Sequence, residues 1–351
     1  MYEISCNMTI HAQDALNFHK DCIVIDPSVQ YLTKRTDRTD RSGLTAVGLT
    51  IPNPGDDQAQ ALPHVLDFYN VIARDKTFLL VETADSIRKA HAEGRLGHMM
   101  LSQDSSFVGS KTDTLPLWYQ LGLRIMQPTY NEQNMVGCGC LEPNDSGLSN
   151  FGRVLVRESQ AVGITMDLTH AGEKTFFDVC MVSKAPIIIS HSNPKAVVNN
   201  IRNVTDDQIR AVADTGGVIC VTTWAPLIWA GTPGMPTLAD YFRCLEHAIE
   251  LVGIDHVATS TDSMGTMGAY PRHERSPDDL PYNKVTGEFD RLANPPDDNN
   301  RQPADFNGIE DYPRLTHGLL ERGFSKEDIR KILGLNLMRV FEETWKPGLG
   351  S

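Results

Sequence analysis

Nowhere in these 351 residues do eighteen apolar residues run together, so no membrane-spanning helix is expected. The first twenty, MYEISCNMTIHAQDALNFHK, lack the basic start and apolar stretch of a secretory signal. Basic residues are outnumbered, 32 Lys and Arg against 45 Asp and Glu, for a formal net charge of −13. A nucleic-acid partner would need a basic face, so that class is set aside and the acidic excess reads as a solvated surface. No Gly-rich phosphate loop follows any apolar run, which weighs against a dinucleotide cofactor. Cysteine is sparse and odd in number: seven residues, scattered singly apart from Cys138 and Cys140. Without an export signal, a cytoplasmic protein free of disulfides is the expectation. Cys180 and Cys220 lie in apolar surroundings and read as small core residues.

Short apolar runs do alternate with amphipathic segments along the chain. The expected strands are residues 22–26, 44–50, 97–102, 123–127, 163–168, 186–190, 216–223 and 256–262. Helix-like segments such as FGRVLVRESQAVG and LADYFRCLEHAIELVG lie between them and end in Gly. Near-continuous apolar strands separated by helices indicate a parallel sheet covered on both faces. Eight such units predict an α/β chain folded as one (β/α)8 TIM barrel over residues 1–351. Residues 263–306, rich in Pro, Asp and Asn, form a long loop after the eighth strand. It reads as a lid or subunit contact, or equally as a solvated insertion. A capping box, Ser325 with Asp328, opens the terminal helices that would close the barrel.

In such a barrel, polar residues at the C-terminal ends of strands are the catalytic candidates. In order they are Asp26, Gln103 with Asp104, Tyr130, His170, His191 and Asp262. One strand-end histidine is usually structural. Two on neighbouring strands, in GITMDLTH and PIIISHS, can share one zinc ion, with a carboxylate nearby to complete the shell or take a proton.

GITMDLTH, PIIISHS, the segment IRNVTDD and the later HVATSTDSMG and ILGLNLMRVFEE together resemble the membrane (renal) dipeptidases, zinc-dependent barrels of the amidohydrolase superfamily. The resemblance runs from about residue 20 to residue 345. It implies that His170 and His191 are ligands of the family's second metal. Arg202 matches an arginine that binds a substrate carboxylate, and Asp262 an aspartate near the nucleophilic water and substrate amine. The departures are as informative. Ser28 and Gln30, in DPSVQ, stand where the family's first-strand His and Asp bind metal, Gln103 replaces a bridging Glu, and Tyr130 replaces a histidine. TYNEQNMVGCGC is similar to a divergent branch that lacks those ligands, some of it linked with N-methylated glycines and betaines. Family members are often dimers, which implies a homodimer here.

A neutral amide is a poor bridge between two dications, and Ser and Gln are weak zinc ligands. The expectation is therefore an enzyme with at most one zinc or other divalent ion, acting on a small amino-acid-like or N-methylated zwitterion. Hydrolysis and proton abstraction next to a carboxylate both remain open. Asp262, Tyr130 and Cys140 are the catalytic candidates, and Arg202, Gln103 and Gln30 the substrate-binding ones. Three of them have a plainer alternative: buried turn thiols for Cys140 with Cys138, aromatic packing for Tyr130, a surface ion pair with Asp206 or Asp207 for Arg202. An orthodox dipeptidase with substitute ligands and a non-catalytic binding barrel are the competing functions.

Overall fold

The structure, a computed structural model, describes residues 12–30, 32–265 and 302–346. Most of the 263–306 loop therefore lies outside the described residues, and with it the expected lid or subunit contact. Each of the eight expected strand segments contributes a strand: β1 (Ile25–Val29), β2 (Ala46–Thr50), β4 (Leu96–Ser102), β5 (Leu123–Met126), β6 (Thr165–Met166), β7 (Ile188–Ser192), β8 (Val218–Thr222) and β9 (Val257–Ser260). A short additional strand, β3 (Phe78–Leu80), precedes β4. All the strand pairs are parallel.

The strands form two curved sheets, one ordered β1-β2-β4-β5-β6 with β3 on β4, the other β7-β8-β9. Strand β3 fits because β4 is longer than its neighbour β5. Leu96 to His98 pair with β3 and Met100 to Ser102 with β5. Single bridges join the sheets at both seams, Asp167 to Ile188 and Val29 to Ser263. The first seam explains why β6 is shorter than its apolar run. The Asp167 N–H donates to Met126 O of β5, whereas the Leu168 N–H donates to Ile188 O of β7, so the chain changes partner within one residue.

Side chains alternate between two apolar layers, as strand geometry requires. Ile25, Met99, Ile125, Ile188, Val218 and Ala258 pack with Leu337, Val340 and Phe341 of the terminal helix Asn336–Thr344. Val47, Met100, Met126, Ile189 and Val257 instead belong to the layer beneath the outer helices. One such helix, Asn150–Val162, is capped by the Ser149 side chain and stopped by Gly163 at φ 109°. Ser325 opens the helix Lys326–Arg330, its hydroxyl accepting from the Asp328 N–H, but the Asp328 carboxylate takes that hydroxyl's proton, so only half of the expected capping box forms. Hydrophobic burial fixes the register of both layers, and the polar residues collect just past the strand ends.

Candidate active site

Strand boundaries place the candidates slightly differently from the sequence reading. Strand β1 begins later and runs to Val29, so Asp26 and Ser28 lie inside it, and β7 extends to Ser192 and includes His191. His170 comes after β6 in a turn, and Asp262 comes just after β9. Among the described residues they are the non-glycine positions with positive φ, 72° and 47°. Such backbone costs on the order of 1–3 kcal/mol per residue and persists only where surrounding contacts hold it. At His170 the hold is visible: the Cys140 N–H donates to the His170 carbonyl at 2.7 Å, beside an antiparallel bridge from Gly139 to Ala171.

Four of the sequence candidates converge on one buried cluster. His170 Nε2 and His191 Nε2 are 3.0 Å apart, and Arg202 Nη2 donates to His170 Nε2 at 3.0 Å. The Tyr130 ring stacks on the His170 ring with centroids 4.1 Å apart. Burial, with Arg202 and His191 beside it, holds the His170 imidazolium well below the usual histidine range, so His170 is neutral at neutral pH. Arg202 is 2% exposed, and its Nε has no hydrogen-bond partner among the described residues. The alternative of a surface ion pair is thus corrected. Asp206 is bonded by His247 and Asp207 by Arg210, while Arg202 points inward.

Three residues outside the candidate set orient this pair. His170 Nδ1 meets Asn131 Oδ1 at 2.6 Å, which makes Nδ1 the protonated nitrogen. The Ser190 hydroxyl donates to Asp167 Oδ2 at 2.5 Å and so accepts from His191 Nδ1, at 2.7 Å. Asp167 is anchored in turn by Gln127, Thr169 and the Ser190 N–H. Both imidazoles are thereby turned so that their Nε2 atoms hydrogen-bond to each other. Acceptors placed on Nδ1 in this way also orient metal-binding histidines.

A second cluster lies between β1 and β9. Ser28 Oγ and Gln30 Nε2 both donate to Asp262 Oδ1, at 3.3 and 2.8 Å. Asp26 accepts from Thr261, Ser28 and Ser260, yet burial pushes its carboxyl up to about 7. Gln103 stands apart, its Nε2 donating to Thr50 Oγ1 at 2.9 Å, and no hydrogen bond joins it to the histidines among the described residues. Asp104 ties down Gly55 N and Asn134 Nδ2. The two neighbouring cysteines separate. Cys138 Sγ is wrapped by its own turn, accepting from the Ser146 N–H, whereas Cys140 Sγ donates to Asn131 Oδ1 at 3.5 Å, one residue from His170. The six described cysteines are free thiols. Burial pushes the thiols of Cys180, to about 12, and of Cys220 upward; Cys220 is a core residue as expected, whereas Cys180 is partly buried and packs against the core.

These donors do not fit a two-metal centre. Ser28, Gln30 and Gln103 are neutral and spend their side-chain protons on Asp262 and Thr50. Among the described residues, no group of three His, Cys, Asp or Glu side chains could hold a metal ion. The imidazole pair alone fits half the shell of a single ion.

Known proteins agree with this architecture. Residues 26–274 and 291–347 match the family model of the membrane dipeptidases, peptidase family M19. The dipeptidase tcpJ of Claviceps purpurea is 27% identical over 269 residues, 75% of this chain and 55% of that protein. This chain therefore spans about half the length of that curated relative. An amidohydrolase structure from Pseudomonas aeruginosa is 30% identical with a TM-score of 0.82, over 94% of this chain and 99% of the other. The probable dipeptidase PvdM from the same organism, 18% identical, shares the fold with a TM-score of 0.78 over 95% and 98% of the two chains. With a family match along most of its length, this chain belongs to the membrane dipeptidase family, peptidase family M19.

Proposed function

We propose that this chain is a divergent enzyme of dipeptidase ancestry that acts on a small amino-acid-like or N-methylated zwitterion, with at most one metal ion. The observation that carries the proposal is Arg202, a buried guanidinium with no carboxylate partner among the described residues. An unpaired buried cation costs several kcal/mol, and an anionic ligand removes that cost. A carboxylate is planar, charged and matched to the guanidinium fork. Asp262, oriented by Ser28 and Gln30, supplies the opposite charge for an ammonium or amine. Gln103, whose amide donates to Thr50, would need to release that bond to serve as the neutral polar substrate contact of the proposal.

Asn131 accepts from the Nδ1 N–H of His170, which leaves Nε2 as the acceptor that a proton-bearing substrate would take over from Arg202. Ser190 and Asp167 orient His191 in the same way and stabilise the imidazolium when it forms. Tyr130, stacked on His170, excludes water from that face, and its phenol and the Cys140 thiol are the flanking proton donors of the proposal. His170 and His191 would hold a single divalent ion through Nε2, and such an ion would supply Lewis acidity and an activated water. The proposal also takes residues 1–351 as one domain in which the two sheets form one (β/α)8 ring, supported by the two seam bridges. A cytoplasmic homodimer belongs to it as well, and light scattering reads the mass.

The test is calorimetric titration with glycine betaine and with sarcosine. Charge-assisted hydrogen bonds contribute about 1.5–3 kcal/mol, so Arg202→Met should weaken binding about 10- to 100-fold. Equal affinity in the variant would remove Arg202 from the site. Saturable binding with no product from any small zwitterion would favour a non-catalytic barrel instead.

A further inference from the structure

Asp262 sits in a backbone conformation that needs outside support. Its φ of 47° lies in the left-handed region, at a buried residue that is not glycine. The support comes from across the seam between β9 and β1. Asp26, fully buried inside β1, accepts from the Thr261 N–H at 3.3 Å, from the Thr261 hydroxyl and from the Ser260 hydroxyl at 3.2 Å. The residue before Asp262 is thus tied through both backbone and side chain. On the other side, the Ser263 N–H donates to Thr261 Oγ1 at 3.3 Å, and the Ser263 carbonyl accepts from the Gln30 N–H at 2.8 Å.

Asp26 also reaches the partners of the Asp262 carboxylate. It accepts from the Ser28 N–H at 3.2 Å, and the Ser28 hydroxyl donates in turn to Asp262 Oδ1. Gln30, two residues on, donates to the same oxygen from its amide and to Ser263 from its backbone. A closed ring of contacts therefore runs from Asp26 through Thr261 to Asp262, and back through Ser28. A carboxylate suits the centre of that ring. Two of its donors are backbone N–H groups, which cannot accept, and two are hydroxyls, whereas an amide offers a single accepting oxygen.

We propose that Asp26 is a positioning residue for Asp262: its buried carboxylate, bonded to Thr261 and Ser28, aims the Asp262 carboxylate at the ammonium group of the ligand. The aim rests on the reading of Asp262 as the ammonium partner, and the hold on its backbone rests on the hydrogen bonds alone. A residue that merely closed the seam would affect folding without acting through Asp262.

A double-mutant cycle on the full chain, read by calorimetric titration with sarcosine, separates these roles. The titration is run at pH 8.5, above the value of about 7 to which burial raises Asp26. Asp262→Asn should weaken sarcosine binding about 10- to 100-fold, the worth of a charge-assisted hydrogen bond. Asp26→Asn should weaken it at least about 5-fold, and the double variant should bind no more weakly than Asp262→Asn alone. Thr261→Val, which removes the hydroxyl link to Asp26, takes the place of Asp26→Asn if that variant does not fold, as judged by thermal unfolding. Unchanged affinity in Asp26→Asn overturns the positioning role, and so does an equal loss with and without the Asp262 carboxylate. If Asp262→Asn binds sarcosine as the wild type does, or neither binds it, the ammonium reading of Asp262 fails and amide hydrogen exchange decides the hold. Exchange at least about 5-fold faster across residues 261–263 of Asp26→Asn, with the rest of the chain unchanged, upholds it. A uniform change, or none, overturns it.

Discussion

At the scale of single residues, the site is a set of imposed tautomers. Asn131 on one side and Ser190 with Asp167 on the other hold the two imidazoles in contact through Nε2 at 3.0 Å. Ser190→Ala removes the acceptor for His191 Nδ1 but leaves Asp167 held by Gln127 and Thr169. Turnover should fall about 10- to 100-fold, as for other second-shell partners of histidine, with little change in thermal midpoint. Steady-state kinetics beside a melting curve checks this, and a large drop in midpoint would make Ser190 a folding residue. His170, His191 and Arg202 were legible in the sequence because imidazole and guanidinium at strand ends carry distinctive chemistry. Asn131 and Ser190 were not, since an amide and a hydroxyl gain their roles only from what lies opposite. The burial of Arg202 was equally hidden, because Asp206 and Asp207 next to it in sequence offer a plausible ion pair that the fold gives to other partners.

At the scale of elements, close backbone approach sets the geometry. Gly139 carries the segment that holds His170, and a Cβ there would lie 2.1 Å from the carbonyl oxygen of Tyr130. Gly139→Ala must push Tyr130 and Asn131 away from the histidine, at a cost of about 1–3 kcal/mol in stability. Denaturant unfolding and turnover should both register it; an unchanged enzyme would mean the segment yields freely. Strand β4 raises a separate point. His98 is fully buried against Phe78, with neither ring nitrogen hydrogen-bonded among the described residues, and burial lowers it to about 3. Its folded value lies below the unfolded 6.5, so its contribution is complete above pH 6.5 and is lost as pH falls towards 3. The loss approaches roughly 4–5 kcal/mol at the acid end. His98→Phe should flatten the acid limb of stability over that window, as read by urea unfolding at pH 7 and pH 4.5. An identical slope in both proteins would exclude His98 as its source. Apolar runs announced the strands, but not their ends. Asp26 and His191 lie within strands because hydrogen bonding to neighbours, invisible in one sequence, extends β1 and β7 past the apolar run.

At the scale of the whole molecule, two sheets joined by single bridges bring the ends of β1, β5, β6, β7 and β9 to one rim. Periodicity and length made the α/β architecture readable, whereas the seams depend on one-residue bridges at Asp167 and Val29 that no pattern encodes. Under the proposed function the rim keeps the anion-facing half of a dipeptidase site, and Ser28, Gln30 and Gln103, all three acting as hydrogen-bond donors, take the place of further metal ligands. That exchange is the centre of the account, and metal stoichiometry tests it most directly. Elemental analysis of the full chain, purified without chelator and equilibrated with zinc and glycine betaine, should find no more than one ion per chain. Two tightly held zinc ions per chain would contradict the account and restore a dinuclear dipeptidase.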